Sequence, residues 1–243
     1  MHFLCRGALI AAFALGTSLS ASAQTIVFDA ADAYGRSAQA SFTLTGSVLN
    51  VALINTSLSD CLVPNDILTG VFFDAVGANG LTKTSATIAA GSALVYYSGA
   101  PTTNVGGEWA YRSGFSPVDG ARSGISAAGL GIFGAGNRFD ASSNLAGTAS
   151  PGGIDFGLLS AGDNTATGNA GVKNSGGLIK NAIQFRFDNA ANFDIQSVKK
   201  VSFQYGTDLC DPRIAGKAVP EPASLCLTAL GLGALALVRR RRG

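Results

Sequence analysis

Apolar and polar side chains alternate over much of the middle of the chain. Ala40, Phe42 and Leu44 are interleaved with Ser41, Thr43 and Thr45. Beyond Gly46 and Ser47, the residues Leu49, Val51 and Leu53 are interleaved with Asn50, Ala52 and Ile54. A period of two places every second side chain on one face of a strand, so this stretch predicts a hairpin with one buried face. Further strands are predicted over 67–73, 85–89, 93–97, 108–115, 125–133, 154–159, 178–187 and 198–205. Ile183, Phe185 and Phe187 face opposite Gln184, Arg186 and Asp188; Val201, Phe203 and Tyr205 face opposite Lys200, Ser202 and Gln204. Turn clusters such as Gly77-Ala78-Asn79-Gly80 and Asn174-Ser175-Gly176-Gly177 lie between them. This spacing predicts an all-β fold, an antiparallel β-sandwich of jelly-roll-like type, joined to a C-terminal apolar helix. A short helix over 30–39 is a weaker expectation, and long loops are expected over 137–177. There is no repeat of fixed period, which argues against a β-helix or propeller.

Composition changes the picture in two ways. Charged residues are 13% of the chain, about half the usual ~25% of soluble domains. Between Gln24 and Val219 there are 12 Lys and Arg against 14 Asp and Glu, a net charge of −2. A nucleic-acid partner needs a basic face, so none is expected. The single histidine is His2. If the N-terminus is removed, Ser-His-Asp and Cys-His catalysis and His-ligated zinc are excluded in their usual forms.

Both ends depart from the alternating pattern. Residues 1–6 are short and positively charged, Ala8 to Leu15 is apolar, and Ala21-Ser22-Ala23 places small residues at both specificity positions of an A-x-A site. This is the layout of a secretory signal peptide over 1–23, with signal peptidase and the Sec translocon as partners and Gln24 as the new N-terminus. The apolar run is too short to span a bilayer. At the other end, Val219-Pro220-Glu221-Pro222 is followed by sixteen mostly apolar residues, Ala223 to Val238, and by Arg239, Arg240, Arg241 and Arg242. Such a run forms a helix of ~24 Å at ~1.5 Å per residue, a marginal fit to a ~30 Å hydrocarbon core. The arginines hold the C-terminus on the cytoplasmic side and leave the body outside.

This three-part tail, residues 218–243, resembles the PEP-CTERM sorting signal of Gram-negative bacteria. The resemblance covers the tail alone. It implies transient residence in the inner membrane, recognition by an exosortase near Pro220-Glu221-Pro222, removal of the tail, and release to the cell surface or extracellular matrix. It also implies an association with exopolysaccharide and biofilm. A permanent single-pass anchor is the alternative reading of the same residues. The body over 24–217 is then an extracellular domain whose activity the tail does not transfer.

Candidate chemistry in the body is sparse. With Cys5 and Cys226 in the two terminal segments, Cys61 and Cys210 are left as an even pair in an oxidising compartment, and a disulfide between them is expected. It would stabilise by about 4–5 kcal/mol in the entropic model; two buried free thiols are the alternative. Glu108, the one glutamate of the body, lies beside Trp109 and Tyr111. These three are candidate carbohydrate contacts, with Asp119 or Asp155 as a second carboxylate for glycan hydrolysis; the plainer reading is a solvated Glu108 and two core aromatics. Asp155, Asp163 and Asn164 lie in an oxygen-rich stretch and are candidate calcium ligands, although Asp and Asn also cap turns for local reasons. No other cofactor is expected. Gly129-Leu130-Gly131-Ile132-Phe133-Gly134 matches G-x-G-x-x-G, but no helix start follows, so close packing explains it better than dinucleotide binding. The leading expectation is a non-catalytic matrix or surface protein that interacts with exopolysaccharide. A carbohydrate-binding or adhesive module and a surface glycan hydrolase follow it.

Overall fold

The computed structural model describes residues 22–100, 102–136, 138, 141–145 and 153–220. Its strands in chain order are β1 (Gln24–Ala31), β2 (Ser37–Thr45), β3 (Val48–Asn55), β4 (Leu68–Asp74), β5 (Thr82–Ile88), β6 (Ala93–Val95) and β7 (Ala110–Val118). They continue with β8 (Ala121–Ser126), β9 (Leu158–Leu159), β10 (Leu178–Lys180), β11 (Ala182–Asp188), β12 (Lys199–Tyr205), β13 (Arg213–Ala215) and β14 (Lys217–Val219). A single helical turn, α1 (Ala170–Lys173), precedes β10 and is capped by the Asn169 side chain, which accepts from the Val172 amide.

One sheet has the order β14-β1-β2-β3-β11-β5, built on the meander β1-β2-β3. The other runs β13-β12-β4-β9-β10-β6, with β8 paired to β4 and β7 to β8. All pairings are antiparallel except that of β9 with β10. The predicted alternation appears as burial. Ala38, Ala40 and Phe42 of β2, Leu49, Val51 and Leu53 of β3, and Ile183, Phe185 and Phe187 of β11 are all buried. They meet Val71 and Phe73 of β4, Ile125 of β8 and Val201, Phe203 and Tyr205 of β12 in one continuous core between the sheets. Phe42 and Phe73 make an edge-to-face contact across it, with centroids 5.1 Å apart. Each such side chain contributes roughly 1.5–3 kcal/mol by leaving water. The antiparallel β-sandwich is the fold.

Two local expectations are corrected. The stretch 30–39 is not helical: β1 and β2 meet there in a turn, and Ala38 and Ala40 point into the core. The strand expected over 125–133 ends at Ser126, because Leu130 (φ +55°) and Gly131 (φ +67°) turn the chain back. That turn lays Leu130 and Phe133 on the outer face of the second sheet, where they pack with Phe72 and Phe115. Gly129 has a packing reason, since a Cβ there would lie 1.9 Å from the Arg138 carbonyl oxygen. Ser202 and Gln204 lie opposite Val201, Phe203 and Tyr205, as the alternation predicts. Both are buried, and Gln204 donates to the carbonyls of Tyr205 and Asp208 while accepting from Arg213.

Among the described residues no helix is long and apolar enough to cross a membrane. The expected C-terminal helix and its arginines, Glu221 and Pro222, and residues 1–21 of the expected signal, Ala21 included, lie outside the described residues.

Candidate functional site

The strand that leads into the C-terminal tail is an edge. β14 pairs with β1 alone, in the register Val27↔Val219, Phe28↔Ala218 and Asp29↔Lys217. All three β14 residues are exposed. The same β1 begins at Gln24, the residue next to the expected signal cleavage site. Because the pairing is antiparallel, Pro220 leaves the sheet on the side toward which Ile26, Thr25 and Gln24 extend. The two ends of the body therefore emerge close together on one sheet edge.

Glu108, Trp109 and Tyr111 do not form an open platform. Trp109 is 0% exposed and its ring packs on Phe185 at 5.0 Å. Tyr111 is buried against Phe187, and its hydroxyl donates to the Ala78 carbonyl at 2.6 Å. Positions 109 and 111 face the inter-sheet core, so neither ring is open to a ligand. Glu108 closes a 3₁₀ turn just before Trp109 and is half-buried. Asp119 is paired with Arg213 in the β7–β8 turn.

The bridge expected between Cys61 and Cys210 is not formed, and both thiols are free. Cys61 is buried; its sulfur accepts from the Ser160 amide at 3.2 Å and donates to the Asp66 carbonyl at 3.4 Å. Burial pushes this thiol up to about 12, against the opposing pull of the Ser160 amide. Cys210 is exposed in the turn after β12. The calcium candidates make separate hydrogen bonds, Asp155 in one turn and the adjacent Asp163 and Asn164 in another loop. An Asp155 carboxylate oxygen accepts from Gly176, Asp163 accepts from the Cys61 amide at 2.7 Å, and Asn164 accepts from Ala166. Among the described residues no group of three or more acidic, thiol or imidazole side chains converges as a metal site.

What the structure does bring together was not expected from sequence. At one end of the sandwich the β1–β2 turn, the loop from Asn55 to Asp66 and the end of β12 enclose a cleft of about 240 Å³. The turn is locally determined: Asp32 accepts from the amides of Tyr34 (2.8 Å) and Arg36 (3.0 Å), which lifts Tyr34 outward to 85% exposure. Arg36 ties turn to loop. Its guanidinium pairs with Asp32 at 3.1 Å and Asp66 at 3.4 Å, and donates to the Asn65 carbonyl. It also lies over the rings of Tyr34 and Tyr205, 5.8 and 6.0 Å from their centroids. Asp66 in turn accepts from the amides of Leu62 and Val63. The Tyr205 hydroxyl is buried with no hydrogen-bond partner, and desolvation pushes its ionisation well above the usual range. The signal that marks this cleft in the sequence is the pair Asp32 and Gly35 around an aromatic, an Asx-type turn rather than a helix.

With the fold and its edges in view, the comparison with known families adds one finding. Residues 218–242 match the model of the PEP-CTERM protein-sorting motif. The chain carries an exosortase-dependent sorting signal, which implies export and targeting to the cell surface, with exosortase as processing partner. The match begins inside β14 and covers no other part of the body. No curated protein and no solved structure matches the chain.

Proposed function

We propose that this chain is a non-catalytic component of the bacterial cell surface or extracellular matrix, held among exopolysaccharide after exosortase removes its tail. The observation that carries the proposal is the sorting motif, which follows directly from an edge strand. A cleavage site in that position can be processed without opening the inter-sheet core. The body supports the non-catalytic part: between Gln24 and Val219 it has no histidine and one glutamate. Its surface is solvated by neutral polar groups, which suits a hydrated polysaccharide matrix. The proposed reading needs no cofactor. On this route the tail resides briefly in the inner membrane of a Gram-negative cell, body outside and Arg239 to Arg242 inside.

The test is C-terminal mass analysis of the protein from cells with and without their exosortase. In wild-type cells the surface protein lacks Arg239 to Arg242; in exosortase-deficient cells the arginines remain and the protein stays with the membranes. Wild-type surface protein that retains Arg242 would instead define a permanent anchor.

A further inference from the structure

We infer that the cleft beneath Tyr34 is a binding site for a neutral sugar ring, the point at which the body grips polysaccharide. This inference rests on the matrix reading above and names the site of that association. Three independent features converge there. The first is the Tyr34 ring, 85% exposed and held in place rather than loose. Its backbone is fixed by Asp32, and one ring face is taken by Arg36, leaving the other to a ligand. An aromatic face suits the C–H face of a pyranose, and a ring already ordered loses little entropy on binding.

The second feature is the floor. Tyr205 is fully buried, lines the cleft, and its hydroxyl lacks any protein partner. An unpaired buried hydroxyl is unfavourable, so a ligand hydroxyl that reaches it makes a bond the protein leaves unmade. The third is the wall, where Ser59 supplies a hydroxyl and Asp60 a carboxylate whose oxygens each accept one bond, from the Asn164 amide and the Thr167 hydroxyl, and keep a further lone pair. Leu62, exposed on the same loop, joins Tyr34 in lining the cleft. An apolar rim over a floor with both donors and acceptors matches a polyol ring better than a purely apolar ligand.

Charge decides between neutral and acidic sugars. Arg36 is outnumbered by Asp60 and Asp66 in the lining, and Asp32 is bound to it from outside. A uronate or phosphate would enter a region already negative. The volume, about 240 Å³, is below the ~300–1,000 Å³ of pockets for larger ligands, and suits one ring of a chain rather than a wrapped segment.

The experiment measures binding of the purified full-length protein to exopolysaccharide extracted from the exporting cells, separated into neutral and anionic fractions. Wild-type protein binds the neutral fraction. Tyr34→Ala, a change at an exposed position, weakens that binding roughly tenfold or more. Tyr205→Phe, which removes one oxygen atom, weakens it several-fold, and Tyr97→Ala, elsewhere on the surface, leaves it unchanged. Neutral-fraction binding that is unaffected by either cleft variant overturns the site, as does preference for the anionic fraction. Failure of the wild type to bind either fraction overturns the polysaccharide reading itself, while the exosortase result above stands or falls separately.

Discussion

Cys61 shows how a thiol can remain unpaired in a chain built for an oxidising compartment. It is enclosed, its sulfur accepts from one amide and donates to one carbonyl, and burial keeps it protonated. The thiolate is the species that reacts, so this sulfur is inert at neutral pH. Cys210 is exposed, and its side-chain hydrogen bond with the neighbouring Asp208 raises its pKa, so it too holds its proton more tightly than a free thiol. In the body alone, residues 24–219, which holds only Cys61 and Cys210, a maleimide should therefore label one thiol in the native state and two in denaturant; a bridged pair would give none in either condition. The raised value also fixes a pH dependence. Below about pH 9 both states hold the proton and the stabilising contribution is complete. Between about 9 and about 12 the unfolded thiol ionises while the folded one does not, so stability falls as pH rises. The slope approaches about 1.4 kcal/mol per pH unit. Tyr111 and Tyr205, also raised by burial, steepen the decline from about pH 10. Urea titrations at pH 8 and pH 10 should show the loss, and Cys61→Ser should reduce it. An equal loss in that variant would assign the whole effect to the tyrosines.

Strands were legible where only one face is buried. β2, β3 and β11 alternate in sequence because they alternate in burial. β4 does not alternate because both its faces are buried in different clusters, Val71 and Phe73 inward and Phe72 outward. The outer cluster was not legible, since it is covered by the glycine-rich turn after β8 and not by another strand. It explains Gly124: a Cβ there would lie 2.7 Å from the Phe72 ring and 3.2 Å from Phe133. Gly124→Ala should cost about 1–3 kcal/mol through overpacking. Gly80→Ala, with nothing within 4 Å of the added carbon, should stay within about 0.5 kcal/mol. Equal effects in chemical denaturation would mean that the outer cluster yields freely. Candidate sites were less legible than strands for a related reason. The sequence left Trp109 and Tyr111 open between a carbohydrate contact and the core, and parity does not settle it, because Phe115, of the same parity, lies in the outer cluster. The cleft joins Tyr34, Asp60 and Tyr205, and no local pattern links positions so far apart. The tail was the most legible part because its three pieces are contiguous and their order is fixed by the membrane, not by folding.

In the whole molecule, neighbours in space are distant in sequence. β11 inserts between β3 and β5, β12 lies between β13 and β4, and β14 closes on β1. No N-terminal portion of the chain contains a finished sheet, because each sheet has a central strand from beyond residue 180. Non-local pairing must overcome loop entropy before contacts reward it, so the body belongs among slowly folding β topologies. For a chain that crosses a membrane N-terminus first, the consequence is an order of events. The strands that complete both sheets emerge last, immediately ahead of the sorting tail. On the proposed route the tail holds the chain at the membrane meanwhile, so that β11 to β14 can find β1, β3 and β4, and the edge presenting Pro220 forms only when β14 docks. Protease protection tests this order. A chain ending at Pro220 should yield a resistant body. One ending at Asn174, which lacks β10 to β14, should be digested throughout, since Phe42, Val51 and Phe73 lose the partners that Phe185, Val201 and Phe203 provide. A chain ending at Ala215 should keep the core protected and expose the amides of Val27 and Asp29 to hydrogen exchange, because only the β14 pairing is lost. If the fragment ending at Asn174 resists protease as well as the complete body, the sheets are not completed from the C-terminal side, and the tail has no folding interval to provide.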